Sequence, residues 1–453
     1  MRIVLLMLTV FMLHAFAFAG KTQAPVLFEP GKITSPVVCE TDATQSYAVY
    51  MPAKGNKDAL PVIYFFDPHA DGELPLTKYR QLADEYGFIL IGSNNSKNGN
   101  DWPTTENIWQ HLFSDAQKKL KINANRVYTC GFSGGAKVAG YIALKYAAIK
   151  GVIANGAGLP DGVAAGNYAF SFTGIAGEGD MNMGDIISFC SALDNTTTRH
   201  SMLIFDGKHE WAPASTMITA FAGLQLYGMQ LKLITKDDAF IGSYVTQAKQ
   251  RVNAFQQLNQ YIKALRECKL AISLLDGIST EATWFQQQSV DITANRLYQQ
   301  QMKQQQVLLA KEESLKAGYM QQFQQGDMEY WKKTITNLQI LAIAKTAESM
   351  MYQRLLAWLS LACYSISNQL INSNQNTAAK QFVEIYKLAD PTNSEAWYFS
   401  AVVDARSLLK EIAESDLLKA VQYGFADKAR LERQPEFKQL KINFTVVENK
   451  MKK

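Results

Sequence analysis

Residues 128–137 read YTCGFSGGAK. Three glycines crowd one serine directly after an apolar run, although glycine costs backbone entropy inside regular structure. Gly131-Phe132-Ser133-Gly134-Gly135 has the spacing G-x-S-x-G, in which a serine ends a strand and opens a helix through a sharp, strained turn. Side chains at the flanking positions would collide there, so small residues are required. The turn lifts the hydroxyl above the sheet. It also aims the N–H of the next residue, Gly134, at the place where an oxyanion would form. The context agrees, because RVYTC (126–130) reads as a strand and AKVAGYIALKYAA (136–148) as a helix.

Outward from that turn, short apolar runs alternate with amphipathic stretches between about residues 35 and 228. PVIYFFDP (61–68), GFILIGSN (87–94), RVYTCGF (126–132), GVIANGAG (151–158), AFSFTGIAG (169–177) and SMLIFDG (201–207) predict buried strands. Continuous apolar runs bounded by Gly, Pro or Asp suit central parallel strands. Between them, LTKYRQLADEYG (76–87) ends on a helix-stopping Gly87, and TENIWQHLFSDAQKKL (105–120) follows Thr104 as its cap. SYAVYMPA (46–53) alternates and is expected to form an antiparallel edge strand. The pattern predicts an α/β domain with a mostly parallel sheet.

After about residue 240 the strand signals stop and helical periodicity takes over. The Gln-rich stretches QQQMKQQQ (299–306) and QQFQQGD (321–327) contain interleaved apolar residues and read as solvated helix faces. Residues 376–405 carry small and aromatic residues at helical spacing before and after an Asp390-Pro391 break, and 415–425 supplies a further helix. This pattern resembles tetratricopeptide helix pairs, with an ordinary helical bundle as the alternative. The expected organisation is a leader over 1–19, an α/β domain over 20–235 and a helical domain over 236–453, with the repeat-like pairs near 347–430.

The 453 residues are 47% hydrophobic and 19% charged, enough to bury a large core. A net charge of +4 is too mild to argue for nucleic acid. At the start, Arg2 precedes an apolar run that ends in Ala17-Phe18-Ala19, the form of a secretory signal cut after Ala19. The run is short for a membrane span and contains His14, which disfavours an uncleaved anchor. The mature chain is therefore expected in the periplasm or outside the cell, with no transmembrane span. Cys39, Cys130, Cys190, Cys268 and Cys363 are odd in number and lack metal spacing, so one disulfide or buried free thiols both stay open. No metal or organic cofactor is implied.

A neutral serine is a poor nucleophile and needs a positioned base, itself oriented by an acid. Once His14 leaves with the leader, His69, His111, His200 and His209 remain. His209 follows the last apolar run in a Gly-containing loop, the place expected for the base in the order Ser, acid, His. The acid should follow the preceding strand, where Glu178, Asp180 and Asp185 lie. Asp180 is favoured, Asp185 is more suited to a helix start, and Asp194 and Asp206 are weaker alternatives. The loop after PVIYFF reads Asp67-Pro68-His69-Ala70-Asp71-Gly72, and the His69 N–H is the expected second oxyanion donor. Trp102, Trp211 and Asn94 are candidate substrate-lining residues.

These features (GFSGG, FFDPHADG, GEGD and GKHEW) resemble the α/β-hydrolase superfamily. Residues 45–228 look like compact secreted esterases related to polyhydroxybutyrate depolymerases, feruloyl esterases and dienelactone hydrolases. The resemblance implies Ser133 as nucleophile, Asp180 as acid and His209 as base, acting on an ester or related acyl substrate. In those groups the loop after the early strand is usually His-Gly-rich, whereas here Asp67-Pro68 takes its place. The connection LPDGVAAGNY (159–168) is too short for a helical lid, which predicts an open cleft for a bulky or polymeric acyl group. Two rival readings remain. One is a peptidase, because the same chemistry cleaves amides. The other is an interaction module, in which the helical half binds a protein partner beside a weak or inactive domain.

Overall fold

In a computed structural model the described residues are 28–54, 58–344, 346–444 and 447. The leader expected at 1–19 lies outside them. The first part of the chain runs β1 (Ile33–Cys39), β2 (Asp42–Tyr50), β3 (Leu60–Phe66), α1 (Glu73–Tyr86), β4 (Ile89–Ser93), α2 (Trp102–Lys119), β5 (Ile122–Phe132) and α3 (Gly134–Lys145). It continues through β6 (Ile149–Asn155), β7 (Ser171–Gly177), α4 (Met183–Leu193), β8 (His200–Phe205) and α5 (Ala214–Gln230).

These strands form one sheet in the order β1-β2-β4-β3-β5-β6-β7-β8. The strands from β3 to β8 are parallel, and β2 joins β4 antiparallel. The architecture is the expected mostly parallel α/β sheet with flanking helices, followed by an all-helical part. One expectation changes: β2 is not the edge, because β1 pairs antiparallel outside it. Pro36 sits in β1, where an edge strand tolerates a residue without an N–H.

Alternation along β3 shows how the sheet is covered on both faces. Ile63 and Phe65 pack with α1 and α5, whereas Val62, Tyr64 and Phe66 pack with α2, α3 and α4. Helix α1 stops at Gly87 in the left-handed conformation, as expected. Helix α2 is capped by Asp101 rather than Thr104, whose N–H donates to the Asp101 carboxylate at 2.9 Å. A carboxylate accepts that bond at the positive end of the helix more strongly than a hydroxyl. All five cysteines are buried and free, so the disulfide alternative is not realised.

The helical part comprises α6 (Asp238–Gln257), α7 (Tyr261–Leu275), α8 (Ala282–Ala294), α9 (Arg296–Gln325), α10 (Met328–Leu341) and α11 (Ala347–Asn372). It ends with α12 (Asn376–Ala389), α13 (Ser394–Arg406), α14 (Lys410–Gln422), α15 (Lys428–Arg433) and α16 (Pro435–Gln439). Ile241, Ala264, Leu274 and Phe285 place α6, α7 and α8 in the same apolar core as α1 and α5. Trp331, Leu355, Val383, Phe399 and Leu417 form a separate core that joins α10 to α14. The Gln-rich stretch lies on the 30-residue α9. Among the described residues, no helix is long and apolar enough to cross a membrane.

Asp115 ties the antiparallel edge to α2. Its buried carboxylate accepts from the Tyr47 hydroxyl at 2.7 Å, the Glu40 N–H at 2.9 Å and Lys119 Nζ at 2.8 Å. Asp115→Ala leaves those donors without their acceptor and is expected to cost about 3 kcal/mol of stability. The measurement is a lower urea midpoint at an unchanged slope.

Candidate functional site

Connectivity in the sheet reverses between β3 and β5, and α/β sites form beyond the carboxyl ends of strands at such a point. Ser133 stands there, between β5 and α3, at φ 54° and ψ −121°. Few residues other than glycine adopt that backbone, which costs roughly 1–3 kcal/mol and persists only where its surroundings enforce it. The Ser133 N–H donates to the Asn155 carbonyl at 2.8 Å, and the Ser133 carbonyl accepts from Ala136 N at 3.0 Å. The flanking glycines supply space rather than unusual dihedrals. A Cβ on Gly135 would overlap the Phe66 carbonyl, and one on Gly131 would overlap the Gly135 carbonyl.

His209 lies in the loop after β8, with its Nε2 at 3.0 Å from Ser133 Oγ and its Nδ1 at 3.0 Å from Asp180 Oδ1. The ring packs on Phe132, with centroids 4.7 Å apart. Gly156 has φ +69°, and a Cβ there would come within 3.1 Å of His209 Cε1. Glycine at 156 therefore gives both the backbone turn and room for the ring. Asp180 is buried, and its Oδ1 also accepts from the Asn182 N–H at 2.8 Å. The loops of acid and base are joined directly: Glu178 N donates to Phe205 O and Gly179 N to Gly207 O, both at 2.8 Å.

The other candidates are engaged elsewhere. Glu178 pairs with Lys263 at 2.8 Å, and Asp194 pairs with His200 Nε2 at 3.0 Å. Asp185 lies in the first turn of α4, where burial pushes its carboxyl up. His111 Nδ1 is 2.7 Å from the Thr41 hydroxyl, in the turn between the edge strands β1 and β2. A cavity of about 300 Å³ among α7, α9 and α11 borders Glu178 but neither Ser133 nor His209. Ser133 and His209 therefore lie outside that cavity.

Several lining assignments need correction. The His69 N–H is already donated to Asp67 Oδ1 at 2.8 Å, so in this structure it is not a free oxyanion donor. The cause is the Asp-Pro-His turn, in which an aspartate bonds the backbone two residues on. Trp211 is buried, and its indole N–H donates to Asp67 Oδ2 at 2.8 Å, so it braces that loop rather than lining a cleft. Trp102 is 40% exposed and stacks on Tyr141 at 4.3 Å. The Asn94 amide donates to the Ser46 hydroxyl at 3.3 Å, a structural tie to β2. Asn98 lies in the same polar loop, beyond the carboxyl end of β4. Its side-chain amide occupies the space that a Gly134 Cβ would need, and its N–H donates to Pro68 O at 2.9 Å. The signal for Asn98 is the glycine at 134, read as room for a neighbour.

The segment between β6 and β7 contains no helix, as its length predicted. The helical part instead reaches the Asp180 side of the site, where Gln353 of α11 lies against Gly179. The hydrogen bond to Asp67 raises the pKa of His69 against the opposing effect of burial, with smaller contributions from Glu395 and Asp71.

No protein-family profile and no curated protein sequence matches the chain. Solved structures do. An esterase from Pyrobaculum calidifontis is 11% identical, with 44% of this chain and 87% of that one covered and a TM-score of 0.37. A ferulic acid esterase is 14% identical over 43% of this chain and 95% of its own, at a TM-score of 0.34. A putative dienelactone hydrolase from Klebsiella pneumoniae is 16% identical over 39% and 88%, at 0.30.

Asp67 is the electrostatic centre of its loop. Burial would push its carboxyl up, but the bonds from His69 and Trp211 hold it below the usual carboxylate range. A folded-state pKa below the unfolded one gives stability that is present above about pH 4 and lost as pH falls through the folded value. Asp67→Asn turns one acceptor into a donor facing another donor. It is expected to cost about 2 kcal/mol at pH 7. The gap to the parent protein should narrow below about pH 4 in urea unfolding measured across pH.

Proposed function

We propose that the protein is a serine hydrolase of carboxylic esters, with Ser133 as nucleophile, His209 as general base and Asp180 as the acid that orients it. The observation that carries this reading is the unbroken path Ser133 Oγ–His209–Asp180, with both steps at 3.0 Å. The Asp180 carboxylate accepts a hydrogen bond from His209 Nδ1–H, and this tautomer leaves Nε2 as the acceptor for the serine proton. Ser133 Oγ attacks the ester carbonyl as its proton moves to His209 Nε2. His209 then gives that proton to the departing alcohol oxygen. Water, deprotonated by the same nitrogen, releases the acyl group and restores the serine.

The tetrahedral oxyanion needs donors fixed in advance. The Gly134 N–H opens α3, where the helix N-terminus also favours negative charge. With the His69 N–H committed to Asp67, the second donor in this reading is Nδ2 of Asn98, whose Oδ1 is the atom facing Gly134. Acyl transfer to water needs no electron carrier and no activated group beyond the ester itself. The reading also includes export by the leader at 1–19 and tetratricopeptide-like pairing near 347–430.

Ser133→Ala is expected to lower turnover of an activated ester by about 10⁶-fold, since members of such a triad act as a unit. A fluorophosphonate should label Ser133 in the parent protein. Equal hydrolysis by both proteins, or no adduct on Ser133, would leave the helical part's binding role as the better account. Cleavage of peptides in preference to acetyl, feruloyl and longer acyl esters would make the enzyme a peptidase. Asn98→Ala is expected to lower kcat by about 10²–10³-fold with little change in KM, the size of one oxyanion donor.

A further inference from the structure

Arg354 on α11 is 5% exposed and Glu312 on α9 is 3% exposed. Arg354 Nε and Nη2 both reach Glu312 Oε2, at 2.8 and 2.7 Å, and Lys316 Nζ lies 3.1 Å from Glu312 Oε1. The remaining arm of the guanidinium leaves the helical part: Arg354 Nη1 donates to the Glu178 carbonyl at 2.8 Å. Glu178 and Gly179 are the two residues that precede Asp180. The neighbouring residues grip the same loop. Lys263 Nζ of α7 holds the Glu178 carboxylate at 2.8 Å, and a Cβ on Gly179 would stand 2.9 Å from Gln353 Oε1.

A buried Arg–Glu pair is a weak source of stability, because desolvation offsets its attraction and an apolar replacement of equal volume is often as stable. What the pair gives here is direction. Glu312 fixes the plane of the guanidinium, and a planar fork fixed on one side presents its last donor at a defined point. That point is the Glu178–Gly179 peptide, one residue before the peptide that leads into Asp180. The opposite side of the loop is fixed by its bonds to Phe205 and Gly207 in the strand and loop that lead to His209. The acid is thus set between a brace on the histidine side and a brace on the helical side.

We infer that Arg354 is a positioning residue for Asp180, and that the helical part belongs to the catalytic machinery rather than being an appended module. The inference rests on the triad reading proposed above. A displacement of about 1 Å in a catalytic group can cost 10²-fold in rate. Arg354→Gln in the full chain is therefore expected to lower kcat on an activated ester by roughly 10- to 100-fold with KM little changed. Arg354→Lys, which keeps a cationic donor, should recover part of the loss. Glu312→Gln, which keeps the shape but loosens the guanidinium, should give a smaller loss of the same kind.

The decisive measurement is a double-mutant cycle with Asp180→Asn, run well below each variant's melting temperature. A residue that acts through Asp180 has nothing left to position in that background, so Arg354→Gln should add under twofold there. An equal loss in both backgrounds would reduce Arg354 to general structural support and overturn the inference. Folded Arg354→Gln with parental kcat would overturn it as well. If Arg354→Gln does not fold, Glu312→Gln takes its place in the cycle with the same two outcomes. Ser133→Ala, assayed alongside, reports separately on the triad: retained activity there refutes the triad reading itself, whatever the Arg354 variants do.

Discussion

The backbone of Ser133 is held in a conformation that it would leave if it were free. Its positive φ is maintained because β5 lies in the middle of the sheet, between β3 and β6, and α3 starts immediately behind it. The Gly135 contact with the Phe66 carbonyl allows that helix to press directly on β3. The apolar faces of the sheet supply the free energy that keeps this turn in place. The rest of the site is arranged around this fixed point. β3 leads to the Asp67 loop, β6 to Gly156, β7 to Asp180 and β8 to His209, so with β5 five neighbouring strands each deliver one part to the same edge.

Much of this was legible in the chain itself. The turn at Ser133 announces itself because several close approaches require glycine at fixed offsets. The buried parallel strands stand out because both of their faces are apolar. His209 follows from the scarcity of histidine and from its place after the last run. The acid could only be narrowed, because several carboxylates share one loop. They are separated by partners distant in sequence, such as Lys263 on Glu178. The loop at 67–69 differs from its sequence reading for a similar reason. Whether the His69 N–H is free depends on the Asp67 carboxylate, and that carboxylate is fixed by Trp211 from the other end of the domain. β1 was missed because Ser35-Pro36 interrupts any alternation that would mark it.

The helical part shows a second limit of local reading. An arginine in an amphipathic helix reads as a solvated charge, and nothing in its neighbourhood marks Arg354 as buried. Its role depends on Glu312 from a different helix and on a main-chain oxygen in the sheet domain. The apolar core follows the same logic on a larger scale. Helices α6, α7 and α8 share their core with α1 and α5, so the sheet's outer layer grades into the helices without an apolar boundary. Two regions that differ sharply in sequence texture are thus continuous in packing.

The five cysteines have a practical chemical consequence. Each is buried, and burial pushes the thiols of Cys39, Cys190 and Cys268 up to about 11, 12 and 12, with Cys130 and Cys363 also raised. The native protein therefore presents almost no thiolate at neutral pH, and thiolate is the form that electrophiles and oxidants attack. An electrophilic probe aimed at the serine meets no competing sulfur, and a cysteine engineered onto the surface would be the single ready handle for attaching a dye or a tether.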